Sequence, residues 1–598
     1  MVKVSDLVIK FLVSQGVKHV FMLPGGGWMH ILDSLGKNRE IEYICNLHEQ
    51  AAAIAAEAYG QYTNNLGVAI VTTGPGGTNA VTGVAAAWID STPCLIISGQ
   101  VKRADMIGNK GLRQMGPQEA DIISIVKPVT KYAVTVLDPT RIYYCLEEAV
   151  YYAKSGRPGP VWVDIPLDVQ GSMVDESQLA TFTPPRDPRL ETELCRLKTK
   201  VEAAINLINH SKRPVILAGN GIWLAGAEKE FCELIEIINA PVLTTWKSID
   251  LIPEDHRLFA GRPGSIGQRG ANFVLQNSDL LLTIGARMDL PQTAFNHRNF
   301  GKSAQKIIVD IDEAEINKMQ MEIEIPIAAD AKRFICEMLS QKAKINNEGR
   351  ASWLSRCMEW KQKYPVVLPE YWKQKEYVNS YVLIDVLSQE MGSEDLLVPG
   401  SSGSCSEITM QTFKVKEGQT VLNNQGFGSM GFGLPASIGA CIASGKKRTV
   451  CVNGDGGFQL NIQELETVVR LQLPIKFFIL NNRGYASIRN MQRNHFNGHY
   501  VGSDEKSGMS LPDIIKIAGA YGIPSERIRN QDGIAEKVRK ILNSPGPFIC
   551  DVMVDPDQPT APRVSSIKLE DGSMISKSLE DMWPYLDPEE LKANMINE

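Results

Sequence analysis

Short apolar, β-branched runs alternate with stretches of helical periodicity along most of the chain. The runs are VAIVTT at 68–73, CLIISG at 94–99, PVWVDIP at 160–166, RPVILAG at 213–219, PVLTTW at 241–246, LLLTIGA at 280–286, QKIIVDID at 305–312, RTVCVNGDG at 448–456, IKFFILNN at 475–482 and PFICDVMVD at 547–555. Such runs, alternating with helical patterns, predict parallel sheets covered on both faces by helices. Two stretches break the pattern: the polar, proline-bearing 171–191, which reads as a linker, and 342–377, a charged helical segment followed by an aromatic and proline-rich crossing. The expected fold is α/β, with three doubly wound parallel-sheet domains at 1–172, 190–343 and 376–557 and a tail at 558–598. No internal sequence repeat relates the three, so any kinship among them must be structural.

Composition narrows the partners. The 62 basic and 68 acidic residues are interleaved and leave a net charge of −6, which provides no electrostatic footprint for nucleic acid. Small molecules are the expected partners. Eleven cysteines without a CxxC pair argue for reduced thiols and against a zinc knuckle. The N-terminus lacks the apolar core and cleavage site of a signal peptide, and no run of 18 apolar residues occurs, so a soluble cytoplasmic protein is expected.

Three motifs carry chemistry. In HEQAAAIAAEAYGQYT, Glu49 opens a helix whose alanines allow close packing against a neighbour; alone, it fits equally a carboxylate favoured by the helix dipole. The turn TTGPGGTN, 72–79, exposes backbone amides and carbonyls to a ligand, though many βα turns are glycine-rich for geometry alone. The third motif joins Asp455, at the end of RTVCVNGD, to Asn482, at the end of IKFFILNN, through the crossover NIQELETVVRLQ. A right-handed βαβ unit returns both residues to one edge of the sheet, where open α/β sheets bind ligands. A carboxylate and an amide oxygen are too few for a closed cage but suit Mg²⁺, which takes further oxygens from water and phosphate. The amides of Gly456 and Gly457 would meet the phosphate. Either half alone is a turn or a cap; together they read as a metal-bridged diphosphate anchor.

These residues resemble the thiamine diphosphate (ThDP) enzymes, in the branch of acetolactate synthases and pyruvate oxidases. GDGGF…NN matches the family's cofactor fingerprint, and HEQ at 48–50, GPGGTN at 74–79 and GSMGFGLP at 428–435 stand in the family's order. The resemblance covers roughly residues 1–557 and implies pyrimidine-binding, central and diphosphate-binding domains. It implies that Glu49 hydrogen-bonds N1′ of the aminopyrimidine, that Met430 wedges between the two cofactor rings, and that the Gly428 carbonyl accepts from the 4′-amino group. Asp455, Asn482 and the Gly484 carbonyl become the Mg²⁺ ligands, and Gly403, Ser404 and Tyr485 join the cofactor set. In the family Glu49, Pro75 and Asn79 come from one chain and the metal ligands from its partner. A homodimer or homotetramer with the active site at the subunit interface follows. A silent scaffold copy would have no reason to keep Glu49, Asp455 and Asn482 together.

The implied reaction is decarboxylation of a 2-oxo acid, pyruvate first, with transfer of the two-carbon unit to a carbonyl acceptor, as in acetolactate synthase. The alternatives are acetyl transfer to a keto-sugar in surface-polysaccharide biosynthesis, and simple decarboxylation or C–C cleavage. Gln118, in QEAD, is expected near the substrate, and Gly26 and Gly27 in the loop facing the reactive carbon. His30, just beyond, is a candidate proton carrier or a structural histidine. Segments 261–289 and 309–318 resemble the family's central domain, which makes Gly219, Gly221, Arg287, Asp310 and Ile311 candidate FAD contacts; a Rossmann-like remnant without FAD fits as well. The chain departs from the synthases at Leu167, where they carry a lysine, at Met491, where they carry a tryptophan, and at Pro117, where they carry an aromatic residue. Arg489, Arg493, His495 and His499 offer polar handles for a hydroxylated or phosphorylated acceptor, or a solvated loop. The tail is a candidate cover for the site.

Overall fold

The computed structural model describes residues 1–185, 190–400, 403–568 and 571–596; positions 186–189 of the expected linker lie outside the described residues. Three six-stranded, wholly parallel sheets follow one another along the chain. The first comprises β1 (His19–Met22), β2 (Glu42–Cys45), β3 (Gly67–Val71), β4 (Cys94–Gln100), β5 (Tyr132–Thr135) and β6 (Pro160–Pro166), in the order β2-β1-β3-β4-β6-β5. The second comprises β7 (Pro214–Ala218), β8 (Val242–Thr244), β9 (Phe259–Gly261), β10 (Leu280–Ile284), β11 (Gln305–Asp310) and β12 (Ile325–Ala328), in the order β9-β8-β7-β10-β11-β12. The third comprises β13 (Leu396–Pro399), β14 (Thr420–Val421), β15 (Thr449–Gly454), β16 (Ile475–Asn481), β17 (Ser525–Ile528) and β18 (Phe548–Met553), in the order β14-β13-β15-β16-β18-β17. The first and third sheets thus share one winding, a kinship with no trace in the sequence, while the central sheet has its own.

All ten apolar runs are interior strands, and every edge strand falls outside them. The physical reason is burial. Interior strands feed a core on each face: Leu95 and Ile97 of β4 enter one, and Ile96 between them enters the other. Each fully buried aliphatic side chain contributes ~1.5–3 kcal/mol, so these positions demand apolar residues. The edge strand β5, YAVT, is only half-buried at all four positions and carries no such demand.

The first and third domains are fused through one shared core. The helices Glu49–Thr63 and Gly433–Ala443 pack so closely that a Cβ on Gly439 would overlap the Ala55 carbonyl; the first of them packs likewise on the helix Pro75–Asp90, where a Cβ on Gly83 would lie 2.6 Å from the Ala53 Cβ. The alanines of HEQAAAIAAEAYG therefore serve the close approach that their size suggested. The tail turns back on the central domain of its own chain: Asn272 donates to the Leu579 carbonyl at 2.9 Å, and Trp360 to the Asn594 side chain at 2.8 Å. Leu579, Leu586, Leu591 and Met595 complete that domain's second core.

Candidate active site

Two groups of residues, one on each cofactor-type sheet, form the candidate site. In the first, β2 ends at Cys45, and His48 caps the following helix by accepting from the Gln50 amide at 3.1 Å, which leaves Glu49 at the first helical position. Glu49 is 6% exposed, and Asn79, on the helix Pro75–Asp90, donates to its carboxylate at 3.0 Å. Gly74 opens that helix with a φ of 63°, and a Cβ there would overlap the carbonyl of Gln118. Gln118 is itself exposed with a φ of 63°, a region that residues with side chains seldom occupy and that marks functional turns. Glu119 holds this turn in place: its buried carboxylate accepts from the Met115 amide at 3.0 Å and the Gly116 amide at 3.2 Å. Nothing in the QEAD motif marks this residue as an anchor, because an internal loop anchor leaves no periodic signal.

The triple-glycine loop is packed beneath β3 and β4. Gly27 donates to Thr72 at 3.2 Å, and its carbonyl accepts from the buried Gln170 at 2.9 Å, while Gly26 lies exposed. His30 faces another way: its ring lies against Gly171, and its charged neighbours are Lys3 and Asp33. Burial, with Lys3 beside it, pulls its imidazole below the usual value. The structure does not bring it to Glu49.

In the second group, the register pairing Gly454 with Leu480 across β15 and β16 brings Asp455 and Asn482 to the same sheet edge, as the crossover required. Asp455 is 2% exposed and accepts from the Gly456 amide at 2.9 Å and the Gly484 amide at 3.1 Å. No basic side chain among the described residues lies within ion-pair distance of it, and burial pushes its carboxyl up to about 7. A buried oxygen anion with only amide donors, next to the Asn482 oxygens, fits a divalent cation, which supplies the missing countercharge. Gly456 must lack a side chain, because a Cβ would run into the Tyr485 ring. Gly457 follows it in the short helix Asp455–Gln459, beneath which Asn453 lies buried. Gly403, with a φ of 71°, precedes the helix that begins at Ser404 and abuts Ser487, a neighbour the sequence reading did not single out. Gly428 (φ 67°) and Met430 lie half-buried in the turn before the helix Gly433–Ala443. The residues thus form a cradle of backbone amides around two side-chain oxygen groups.

Among the described residues, no hydrogen bond joins the Glu49 group to the Asp455 group. Near the Glu49 turn the two domains are joined through Glu464, which accepts from the Asn46 side chain at 2.9 Å and the Leu47 amide at 2.8 Å.

The candidate dinucleotide residues converge elsewhere. Gly221, Arg287, Asp310 and Ile311 line a cavity of about 1450 Å³ at the carboxyl edge of the central sheet, and it extends to Gly403 and Gln425. Gly219, just past β7, does not line the cavity; a Cβ there would collide with the backbone of Gly285, which does. Arg287 donates to the Ile89 carbonyl at 2.9 Å and pairs with Asp289 at 2.8 Å; burial pushes the Asp310 carboxyl up to about 6.

Of the acceptor handles, Arg489 is buried and donates to the Asn482 and Pro556 carbonyls, and Arg493 pairs with Asp557. His495 and His499 are exposed, as are Met491 and Pro117, and Leu167 is half-buried.

The cradle, the buried carboxylate and the repeated winding are those of a cofactor enzyme, and the chain belongs to the thiamine pyrophosphate (thiamine diphosphate) enzyme family. Its N-terminal TPP-binding domain matches residues 2–125, its central domain 201–338 and its C-terminal TPP-binding domain 401–552. Within the family the chain falls in the acetolactate synthase-like branch. It is 34% identical to the acetolactate synthase large subunit of Cyanidium caldarium, covering 93% of this chain and 94% of that protein. It is 33% identical to a probable acetolactate synthase large subunit of Methanocaldococcus jannaschii, covering 93% and 92%, and 31% identical to that of Corynebacterium glutamicum, covering 98% and 92%.

Proposed function

We propose that this chain is a ThDP- and Mg²⁺-dependent carboligase that decarboxylates pyruvate and transfers the two-carbon unit to a carbonyl acceptor, as an acetolactate synthase does. The observation that carries it is Asp455, a buried carboxylate with no basic side chain among the described residues within ion-pair distance, set beside Asn482 at the sheet edge. ThDP, when bound, supplies the carbon nucleophile and the electron sink for decarboxylation. Asp455, Asn482 and the Gly484 carbonyl would hold the cation, and the amides of Gly456 and Gly457 the diphosphate. Glu49, fixed by Asn79, would take the hydrogen bond at N1′ of the aminopyrimidine. Gln118 projects from an exposed turn beside Gly74, on the side a substrate would approach.

The active chain is a homodimer or homotetramer in this reading, with Glu49, Pro75 and Asn79 of one copy facing Asp455, Asn482 and Gly484 of the next. Pro75 and Asn79 are exposed, and so are Leu47, Phe427 and Leu460, as residues awaiting a partner surface would be. The cavity on the central sheet has room for FAD, with the half-buried Asp310 carboxylate at its lining. Eleven cysteines, none in a disulfide among the described residues, favour the reducing cytoplasm. Among the described residues, no helix is long and apolar enough to cross a membrane.

A keto-sugar acceptor is the second reading, favoured by Leu167 and the exposed Met491 at positions where the synthases carry a lysine and a tryptophan. Purified protein incubated with ThDP, Mg²⁺ and pyruvate, alone or with 2-oxobutyrate or a nucleotide-linked keto-sugar, tests both. Mass spectrometry showing acetolactate supports the first reading, and an acetylated sugar the second. Neither product, with pyruvate unconsumed, would reject the carboligase.

A further inference from the structure

Arg489 has a different task from the one its place in the loop suggested. It sits in the first turn of the helix Ala486–His495, only 5% exposed, directly beneath the Asn482–Gly484 turn. One terminal nitrogen donates to the Asn482 carbonyl at 2.8 Å and the Pro556 carbonyl at 3.1 Å, and approaches the Asn482 side-chain oxygen at 3.3 Å. The other approaches the Arg483 carbonyl at 3.3 Å and the Ser503 carbonyl at 3.4 Å. Among the described residues, no carboxylate lies within ion-pair distance of this buried cation.

Three segments therefore meet at one guanidinium: the turn after β16, the loop through Ser503, and the chain leaving β18. The turn lies between two charges. On one side the Gly484 amide donates to Asp455 at 3.1 Å; on the other, a Cβ on Gly484 would lie 2.8 Å from the Arg489 side chain and overlap the Ser503 carbonyl. Only a planar fork with several donors can serve carbonyls from three directions at once; a lysine would reach one or two of them. A guanidinium placed beside a cation site opposes the cation by charge, so its presence there calls for a compensating benefit. That benefit is fixing the Asn482 peptide before the cation arrives.

We propose that Arg489 is the positioning residue of the metal turn, holding Asn482 and Gly484 in the arrangement that takes Mg²⁺ and, through it, the cofactor diphosphate. The inference rests on Asp455 and Asn482 being the Mg²⁺ ligands. Groups that orient metal ligands typically alter affinity by about 10–100-fold when removed.

The test is a Mg²⁺ titration of the full-length protein at fixed ThDP, read as the rise in melting temperature over the cofactor-free protein, for wild type, Arg489→Met and Arg489→Lys. The expected result is a half-saturating Mg²⁺ concentration raised about 10–100-fold in Arg489→Met, partly restored in Arg489→Lys, with the pyruvate KM at saturating cofactor unchanged. An unchanged titration with a raised pyruvate KM would overturn the proposal and return Arg489 to the substrate. If Arg489→Met does not fold, Arg489→Lys alone decides between the same two results. A wild-type protein with no Mg²⁺-dependent shift would reject the metal-ligand assignment itself, which separates that failure from one confined to Arg489.

Discussion

Asn79 donates its side-chain amide to the Glu49 carboxylate at 3.0 Å, joining the first turns of two helices that leave neighbouring parts of one sheet. The bond fixes which way the carboxylate faces, and Gly76 leaves the space beside it free: a Cβ there would sit 3.4 Å from the other Glu49 oxygen. Glu49→Gln preserves shape and an acceptor for Asn79 but removes the charge. Turnover of pyruvate should fall about 10²–10⁴-fold, the usual worth of a positioned acid or base, with the melting temperature unchanged. Asn79→Ala keeps the charge but frees its orientation, and should cost about 10–100-fold. Steady-state CO₂ release measures both, and activity retained in Glu49→Gln would remove this residue from the mechanism.

The sequence disclosed ten of the twelve interior strands of the three sheets, missing β1 and β13, and none of the edge strands. β4 and β6 lie between neighbours and are buried throughout, so composition betrays them. β14 is two residues long and β5 half-buried, so neither pays a penalty for polarity. The convergence of Asp455 and Asn482, the proposed metal ligands, was legible because each lies just past the end of such an interior strand. Glu119, Glu464 and Arg489 were not, since each acts on backbone groups distant in sequence or hidden in a loop. A buried arginine and an exposed one look alike in a sequence, and only the carbonyls around Arg489 decide its role.

Removal of the cation should abolish the cofactor's effect on stability. A ligand at a hundred times its Kd stabilises the folded state by about 2.7 kcal/mol. ThDP with Mg²⁺ should therefore raise the melting temperature, and EDTA should erase the rise. Asp455→Asn should behave like the EDTA-treated wild type even in excess Mg²⁺, because the neutral amide offers no countercharge. A full ThDP-induced shift in Asp455→Asn would rule out this carboxylate as the ligand.

Glu57 makes stability depend on pH. It is fully buried where the three domains meet, bonded by Gln61 and by Thr92 at 3.3 Å, with Lys247 and Asp90 as its charged neighbours. Burial pushes its carboxyl up to about 7, above the ordinary 4.5. A raised acid binds its proton more tightly when folded, so its contribution is complete below pH ~4.5 and is lost as pH rises through about 7. The loss is on the order of 2–3 kcal/mol. Glu57→Gln should thus flatten the fall in melting temperature between pH 5 and pH 8. Parallel curves for the two proteins would show that Glu57 does not carry the dependence.

Packing between the two cofactor-binding domains should reach Glu49, the proposed catalytic carboxylate. Glu49 begins the helix Glu49–Thr63, and two turns along it the Ala55 carbonyl touches the helix Gly433–Ala443 at Gly439, where no Cβ fits. Both partners there are backbone, so neither can rotate away. Gly439→Ala must push the helices apart, at a cost of about 1–3 kcal/mol by the usual penalty for overpacking. The displaced helix carries Glu49 with it, and a shift near 1 Å in a catalytic group can cost about 10²-fold in rate. Lower stability in urea should therefore accompany a fall in kcat, while the Mg²⁺ dependence, set by Asp455 and Asn482 on the far side of that sheet edge, should stay closer to wild type. Gly445→Ala is the control: that glycine also lies in the third domain, but a Cβ there meets nothing, so only its φ of 71° is strained. It should lose stability without losing kcat, and an equal loss of kcat in both variants would mean that destabilisation alone, rather than the position of the Glu49 helix, lowers the rate.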